Sequence, residues 1–163
     1  MYSHILSKIK TTEEADKLNE EIDLLLNSFF EEREPGQTGF DYALKNKVRA
    51  WLSSILSEEL SKEGVDTEFF LEELKKKLTT FKILKLDLAF EPTEAVIERM
   101  SLFARKNISE DVLLEINHLP NLIGGAVIIY EGEYRDFSLK KPVEEEFRKN
   151  REEIMELVGR ELT

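Results

Sequence analysis

Between Thr11 and Phe29 the apolar residues Ala15, Leu18, Ile22, Leu25, Leu26 and Phe29 recur at three- and four-residue steps. That spacing puts them on one stripe of a helix, and Thr11 followed by Glu14 supplies a capping box to start it. Pro35, Gly36 and Gly39 interrupt the pattern. A second stripe through Leu44, Val48, Trp51, Leu52, Ile55 and Leu56 predicts another helix that stops before Gly64, so the two form a helical hairpin. Asp66 or Thr67 then caps a third, shorter helix. Phe70, Leu71, Leu74 and Leu78 supply its buried side, and Lys75, Lys76 and Lys77 lie near its C-terminal end, where the helix dipole favours cations. Residues 1–79 therefore read as a helical hairpin or three-helix region.

From residue 80 the period changes. Leu84, Leu86, Leu88 and Phe90 alternate with Ile83, Lys85, Asp87 and Ala89, which predicts a strand. Pro92 stands where a first helical residue belongs, and Val96, Ile97, Met100 and Phe103 build the helix that follows, to about Asn107. A second strand is expected at Val112, Leu114 and Ile116, and parallel pairing of the two strands would make a βαβ unit. After the Leu119-Pro120-Asn121 break, an apolar run from Ala126 to Tyr130 meets a Glu131-Gly132 turn and a partner strand from Glu133 to Phe137, a hairpin. Val127, Ile128 and Ile129 leave no polar face, so this strand should be central and covered on both sides by its own helices or by a partner. A last helix is expected from near Pro142 to about Arg160, with only Val143, Phe147, Ile154, Leu157 and Val158 as apolar positions. The fold class that results is α+β: a helical region at 1–79, then an α/β domain at 80–163 with a small four-stranded mixed sheet in β-α-β-β-α order.

Composition narrows the partners. The 163 residues suit one ordinary domain or two small ones, and 41% apolar with 35% charged residues fits amphipathic helices on a modest core. The formal net charge of −11 repels phosphate backbones, so no nucleic-acid partner is expected. With no cysteine there is no disulfide, thiolate nucleophile or zinc–thiolate site, and a reducing compartment is tolerated. The patch around Ile5, Leu6 and Ile9 is too brief for a signal peptide. The longest apolar run, Leu122 to Tyr130, is far below the roughly 20 residues of a membrane-spanning helix.

Leu122-Ile123-Gly124-Gly125, an apolar strand, a glycine turn, a second strand and Asp136-Phe137-Ser138 before a charged helix form the most specific stretch of the chain. Paired glycines allow a positive φ or a bulge before the strand, Leu122 and Ile123 can pin the turn to the core, and the short side chains of Asp136 and Ser138 can satisfy backbone donors. This order resembles the C-terminal domain of the ATP synthase delta subunit family, the bacterial counterpart of the oligomycin sensitivity conferral protein, over residues 81–160. Phe137 stands where bacterial relatives often carry a small residue, and the basic stretch after the serine is reduced to Lys140 and Lys141. The resemblance implies a non-catalytic connector of the peripheral stalk, without cofactor or metal. It would bind the stalk subunit b through Val127, Ile129, Phe137 and Phe147, and the head's alpha subunit through the N-terminal helices with Trp51. It would be cytoplasmic, held at the inner membrane by the complex. The family's N-terminal domain is a six-helix bundle, larger than the helices of residues 1–79. The alternative is a free-standing interaction or regulatory module of the same architecture.

Chemistry of its own has little sequence support. The glycine pair lacks the lysine and hydroxyl of a phosphate-binding loop and the third glycine of a dinucleotide fold. His4 and His118 are the only histidines, and either would need distant carboxylates to hold a metal. Asp136, Ser138 and His118 could be drawn as a hydrolase triad, but no nucleophile elbow surrounds Ser138. The glutamate pairs read as solvated helix faces, because adjacent helical residues point about 100° apart. Phe29-Phe30 and Phe69-Phe70 cannot each centre both rings on one buried face, which leaves one of each pair for another helix or a partner.

Overall fold

The structure, a computed structural model, describes residues 2–31, 38–151 and 155. Pro35, Gly36, Ile154, Leu157, Val158 and Arg160 lie outside the described residues, so the expected end of the last helix does too. Helix α2 (Thr12–Ser28) begins as its sequence predicts: the Thr11 side chain accepts from the Glu14 N–H at 3.2 Å while Glu14 receives the Thr11 N–H. A one-turn helix, α1 (Ser3–Leu6), precedes it, and it turns the short patch into core, since Ile5 and Ile9 are fully buried.

The second predicted helix is two. Helix α3 (Gly39–Asn46) is capped by Thr38, whose side chain accepts from Asp41 N, and α4 (Ala50–Leu60) starts afresh. The break lies at Arg49. Its N–H donates not to a carbonyl one turn back but to Glu21 Oε1 of α2 at 2.8 Å, and its guanidinium grips the same carboxylate at 2.7 Å. A helix cannot continue through a residue whose backbone donor is claimed by a neighbour. Among the described residues of 1–79 there are thus five helices, the last being α5 (Thr67–Leu78), for which Asp66 and not Thr67 is the cap, accepting from Phe69 N at 3.0 Å.

Strand β1 (Lys82–Leu88), helix α6 (Glu94–Asn107), strands β2 (Val112–His118), β3 (Ala126–Tyr130) and β4 (Glu133–Asp136), and helix α7 (Lys140–Lys149) follow in the expected order. The four strands form one mixed sheet with the order β2-β1-β3-β4. The Lys82 N–H reaches Asp111 O and the Leu119 N–H reaches Leu88 O, so β1 and β2 advance together, in parallel. β1 pairs antiparallel with β3, and β3 with β4. The alternation read in the sequence holds for Leu84, Leu86 and Leu88, which are buried, but not for Phe90, which lies past the end of the strand and is exposed.

Helix α6 departs from expectation. Pro92 precedes it by two residues instead of opening it, and its buried side is Ser101 and Ala104, while Phe103 is 67% and Leu102 59% exposed. Val96, Ile97 and Met100 are half-buried beside them, so of the expected stripe Phe103 alone is left in water, while the small Ser101 and Ala104 let the helix lie close to its neighbours.

The chain divides into two compact units, and the division is not at residue 80. Unit 1 comprises Met1–Ile83 with Glu94–Glu115, and unit 2 comprises Leu84–Thr93 with Ile116–Thr163. In unit 1 the Leu114 N–H donates to Lys10 O at 2.9 Å, the Arg105 guanidinium donates to the carbonyls of Leu6, Ser7 and Ile9, and Lys10 pairs with Glu98. These bonds attach α6 and the first half of β2 to the N-terminal helices, which is why the helical part is larger than local periodicity indicates. Its core runs through Leu18, Ile22, Leu25, Leu52, Leu56, Phe70, Leu71 and Leu74. Each such side chain contributes roughly 1.5–3 kcal/mol by leaving water. Unit 2 is the rest of the sheet with α7, and none of the described residues of α7 is buried.

Candidate functional site

The glycine pair sits at the junction of unit 2, and the backbone there needs both glycines. Gly124 has φ +61° and Gly125 φ +73°. A Cβ on Gly125 would lie 2.2 Å from the carbonyl oxygen of Phe137, and one on Gly124 would lie 2.8 Å from Leu139 Cδ1. The close approach is held by two backbone bonds of 2.8 Å, Phe137 N–H to Ala126 O and Leu139 N–H to Ile123 O. Leu122 is half-buried, whereas Ile123 is 49% exposed and does not pin the turn to the core. Its carbonyl, not its side chain, is the anchor.

Asp136 and Ser138 close the same junction from the other strand. Asp136 Oδ1 accepts the Ser138 N–H at 2.8 Å, and Ser138 itself is buried. The hydrogen bond from the Ser138 side chain, then that from its N–H, with Lys141 and Lys140 nearby, holds the Asp136 carboxyl below the ordinary aspartate value. The pair is thus a local clasp that turns the chain from β4 into α7. The Ser138 side-chain oxygen also accepts the Lys140 N–H at 3.5 Å, so the polar atoms of the pair serve the turn.

Sheet register separates the residues expected to bind a partner. Ile129 faces Tyr134 and Val127 faces Asp136, so these four share one face of the sheet. Arg135 and Glu133 occupy the other face, and the alternation carries Phe137 there as well. Val127 is only 5% exposed and belongs to the core of unit 2, so it offers no contact to a partner; Ile129 is half-buried. Of the residues expected to meet a partner, Val127 and Ile129 thus lie on the sheet face opposite Phe137. Phe137 and Phe147 are 57% and 60% exposed, and Ile123, Tyr134 and Leu139 add further uncovered apolar surface that the sequence reading missed. For Tyr134 and Leu139 the only sequence signal was an apolar residue beside charged ones in a short segment, whereas for Ile123 the pattern indicates the core side of the turn.

Trp51 belongs to unit 1. It is half-buried against that unit's core, with the Arg49 guanidinium 5.0 Å from its ring centre, so it fixes the α3–α4 break more than it offers a surface. The phenylalanine pairs divide as expected: Phe70 is buried and Phe69 exposed, while Phe29 stacks on Phe40 at 4.8 Å and Phe30 is exposed.

Unit 1 also has a groove of about 490 Å³ beside α1, between Tyr2, Leu6, Phe81 and Arg105. Arg105 is spent there on carbonyls, and the Lys77 ammonium lies 5.5 Å from the Tyr2 ring centre, so the groove is the seam of α1. Among the described residues no group of three histidine, aspartate or glutamate side chains is placed to hold a metal, and no helix is long and apolar enough to cross a membrane. His4 lies in unit 1 and His118 in unit 2, and both are exposed. No protein-family model matches the sequence, and a search of curated proteins returns no match.

Proposed function

We propose that this protein is a non-catalytic connector, and that unit 2 receives an amphipathic helix of another protein. Following the resemblance of residues 81–160, that helix is the C-terminal end of the peripheral-stalk subunit b of a rotary ATP synthase. The protein would then be cytoplasmic and held at the inner membrane by the complex, tying stalk to head without hydrolysing anything. The observation that carries this reading is the set of apolar side chains left uncovered in unit 2: Ile123, Phe137 and Leu139 along the glycine junction and Phe147 on α7. A side chain of that size in water forfeits roughly 1.5–3 kcal/mol that burial would return, and an amphipathic helix is a partner that covers such residues in one step. The two positive-φ glycines and the Asp136–Ser138 clasp support it further, because they give the stretch that carries the resemblance a defined shape.

Contact with the head's alpha subunit has less behind it, since Trp51, its expected anchor, is half-buried against the core of unit 1. That observation favours the second reading, a free-standing interaction module or a connector for the stalk alone. Titrating the purified chain with a peptide from the C-terminal end of subunit b and one from the N-terminal end of the alpha subunit separates these. Saturable binding of the stalk peptide, weakened by Phe147→Ser, supports the connector; no binding of either peptide rejects it.

A further inference from the structure

The two edges of the sheet are finished differently. At the β2 edge Thr11 bridges to Leu114, and Lys10 O takes the Leu114 N–H, so that edge is partly capped from within the chain. At the β4 edge no described residue pairs, and all four residues of the strand are exposed. An uncapped edge is a row of backbone donors and acceptors ready for another strand.

Which groups point outward follows from the ladder. Phe137 N–H donates to Ala126 O, so Ala126 and Phe137 form a hydrogen-bonded pair, and the antiparallel alternation makes Ile128–Arg135 and Tyr130–Glu133 the others. Glu133, Arg135 and Phe137 therefore spend their backbone groups on β3, and Tyr134 and Asp136 turn theirs away from it. The two-residue Glu131-Gly132 turn, with φ +48° and +83°, fixes this register against slippage.

We propose that two copies of the free chain associate through this edge, β4 against β4 in antiparallel, with Tyr134 on the two-fold axis. Only registers that pair outward-facing residues are allowed, and a dyad through Tyr134 is one of them: the two Tyr134 residues exchange two backbone hydrogen bonds. In that register the Glu133 of each copy stands opposite the Arg135 of the other, two cross-strand ion pairs on one face, and the two exposed Tyr134 rings meet on the other. Within one chain Glu133 and Arg135 already pair at 3.0 Å, both largely in solvent, so the charges need only exchange partners. The charges that would keep a short edge strand from sticking to an arbitrary neighbour are thus complementary to a second copy of themselves. A four-residue strand buries less than a standard interface, so the association is weak and reversible, in the micromolar-to-millimolar range. It involves a different element from the apolar residues proposed to take the stalk helix, and does not depend on that reading.

The test is sedimentation of the full chain across that concentration range, with Glu133→Arg, Arg135→Glu and an equimolar mixture of the two. Wild type is expected to dimerise. Each variant alone places like charges opposite each other in both cross-strand pairs and should stay monomeric at concentrations at least tenfold higher. The mixture restores both ion pairs and should associate as a heterodimer. Tyr134→Pro removes an outward N–H that β3 does not use, and should abolish association with the thermal melt otherwise preserved. A wild type that is monomeric throughout, variants that dimerise like wild type, or folded variants whose mixture fails to associate would each overturn the proposal.

Discussion

Unit 1 and unit 2 are built from the same alphabet, and both leave large apolar side chains in water, but they differ in how large a core they close. In unit 1 the stripes of α2, α4 and α5 share one core, and Leu18, Ile22, Leu25, Leu52, Leu56, Phe70, Leu71 and Leu74 are out of water, while Leu26, Val48, Trp51 and Ile55 pack half-buried against it. In unit 2 the described core is little more than Leu84, Leu86, Leu88 and Val127, while Phe90, Leu119, Ile123, Tyr134, Phe137, Leu139 and Phe147 are substantially exposed. A helix surrounded by other helices can bury a whole stripe, but an outer strand and a following helix have nothing on their far side. The difference teaches that unit 1 owes its core to helices closing on helices, while unit 2 keeps only one side of a few strand residues out of water.

The largest break in this contrast comes from the core of unit 1. Leu71→Ala, at a fully buried position, should lower stability by about 2–5 kcal/mol in a denaturant titration, since a cavity is added to the lost transfer energy. Next is the glycine junction of unit 2. Gly125→Ala places a methyl against the Phe137 carbonyl as well as forcing a positive φ, and should cost about 1–3 kcal/mol. Gly132→Ala has the same sign of φ but nothing within 4 Å, so only the conformational part, about 1–2 kcal/mol, should remain. Equal losses at the two positions would show that the close backbone approach contributes nothing.

A smaller effect concerns pH. The Asp136 carboxyl is held below its ordinary 3.8, so the folded form binds a proton less readily than the unfolded chain does. The clasp therefore contributes fully above that ordinary value and is lost as pH falls through the lowered folded one. Asp136→Asn should flatten this acid limb in unfolding curves while leaving neutral stability less affected. Smallest of all, Phe147→Ser should change stability by no more than about 0.5 kcal/mol, because the ring is already in water, and its effect should be read in partner binding alone.

Much of this was legible in advance. The capping box of α2, the alternation of β1, the Glu-Gly hairpin and the need for positive φ at Gly124 and Gly125 all rest on interactions between residues close in sequence, which local pattern encodes. The split at Arg49 was not legible, because its cause is Glu21, a residue on another helix. On α6 the expected stripe of Val96, Ile97, Met100 and Phe103 is half right for a related reason: the first three are half-buried, but next to them the helix buries the small Ser101 and Ala104 and leaves Phe103 in water, which depends on what packs beside it. Val127 and Phe137 were grouped by character, and only sheet register placed them on opposite faces.

By itself, the sequence determined the order and kind of the elements, the turn chemistry between the later strands and the absence of thiol chemistry. Those properties depend on short-range sterics and composition. Tertiary structure decided which apolar residues remain in water, where the helical unit ends and which strand edge is left open. Each of these depends on what lies opposite a residue in space, and no spacing along the chain records that.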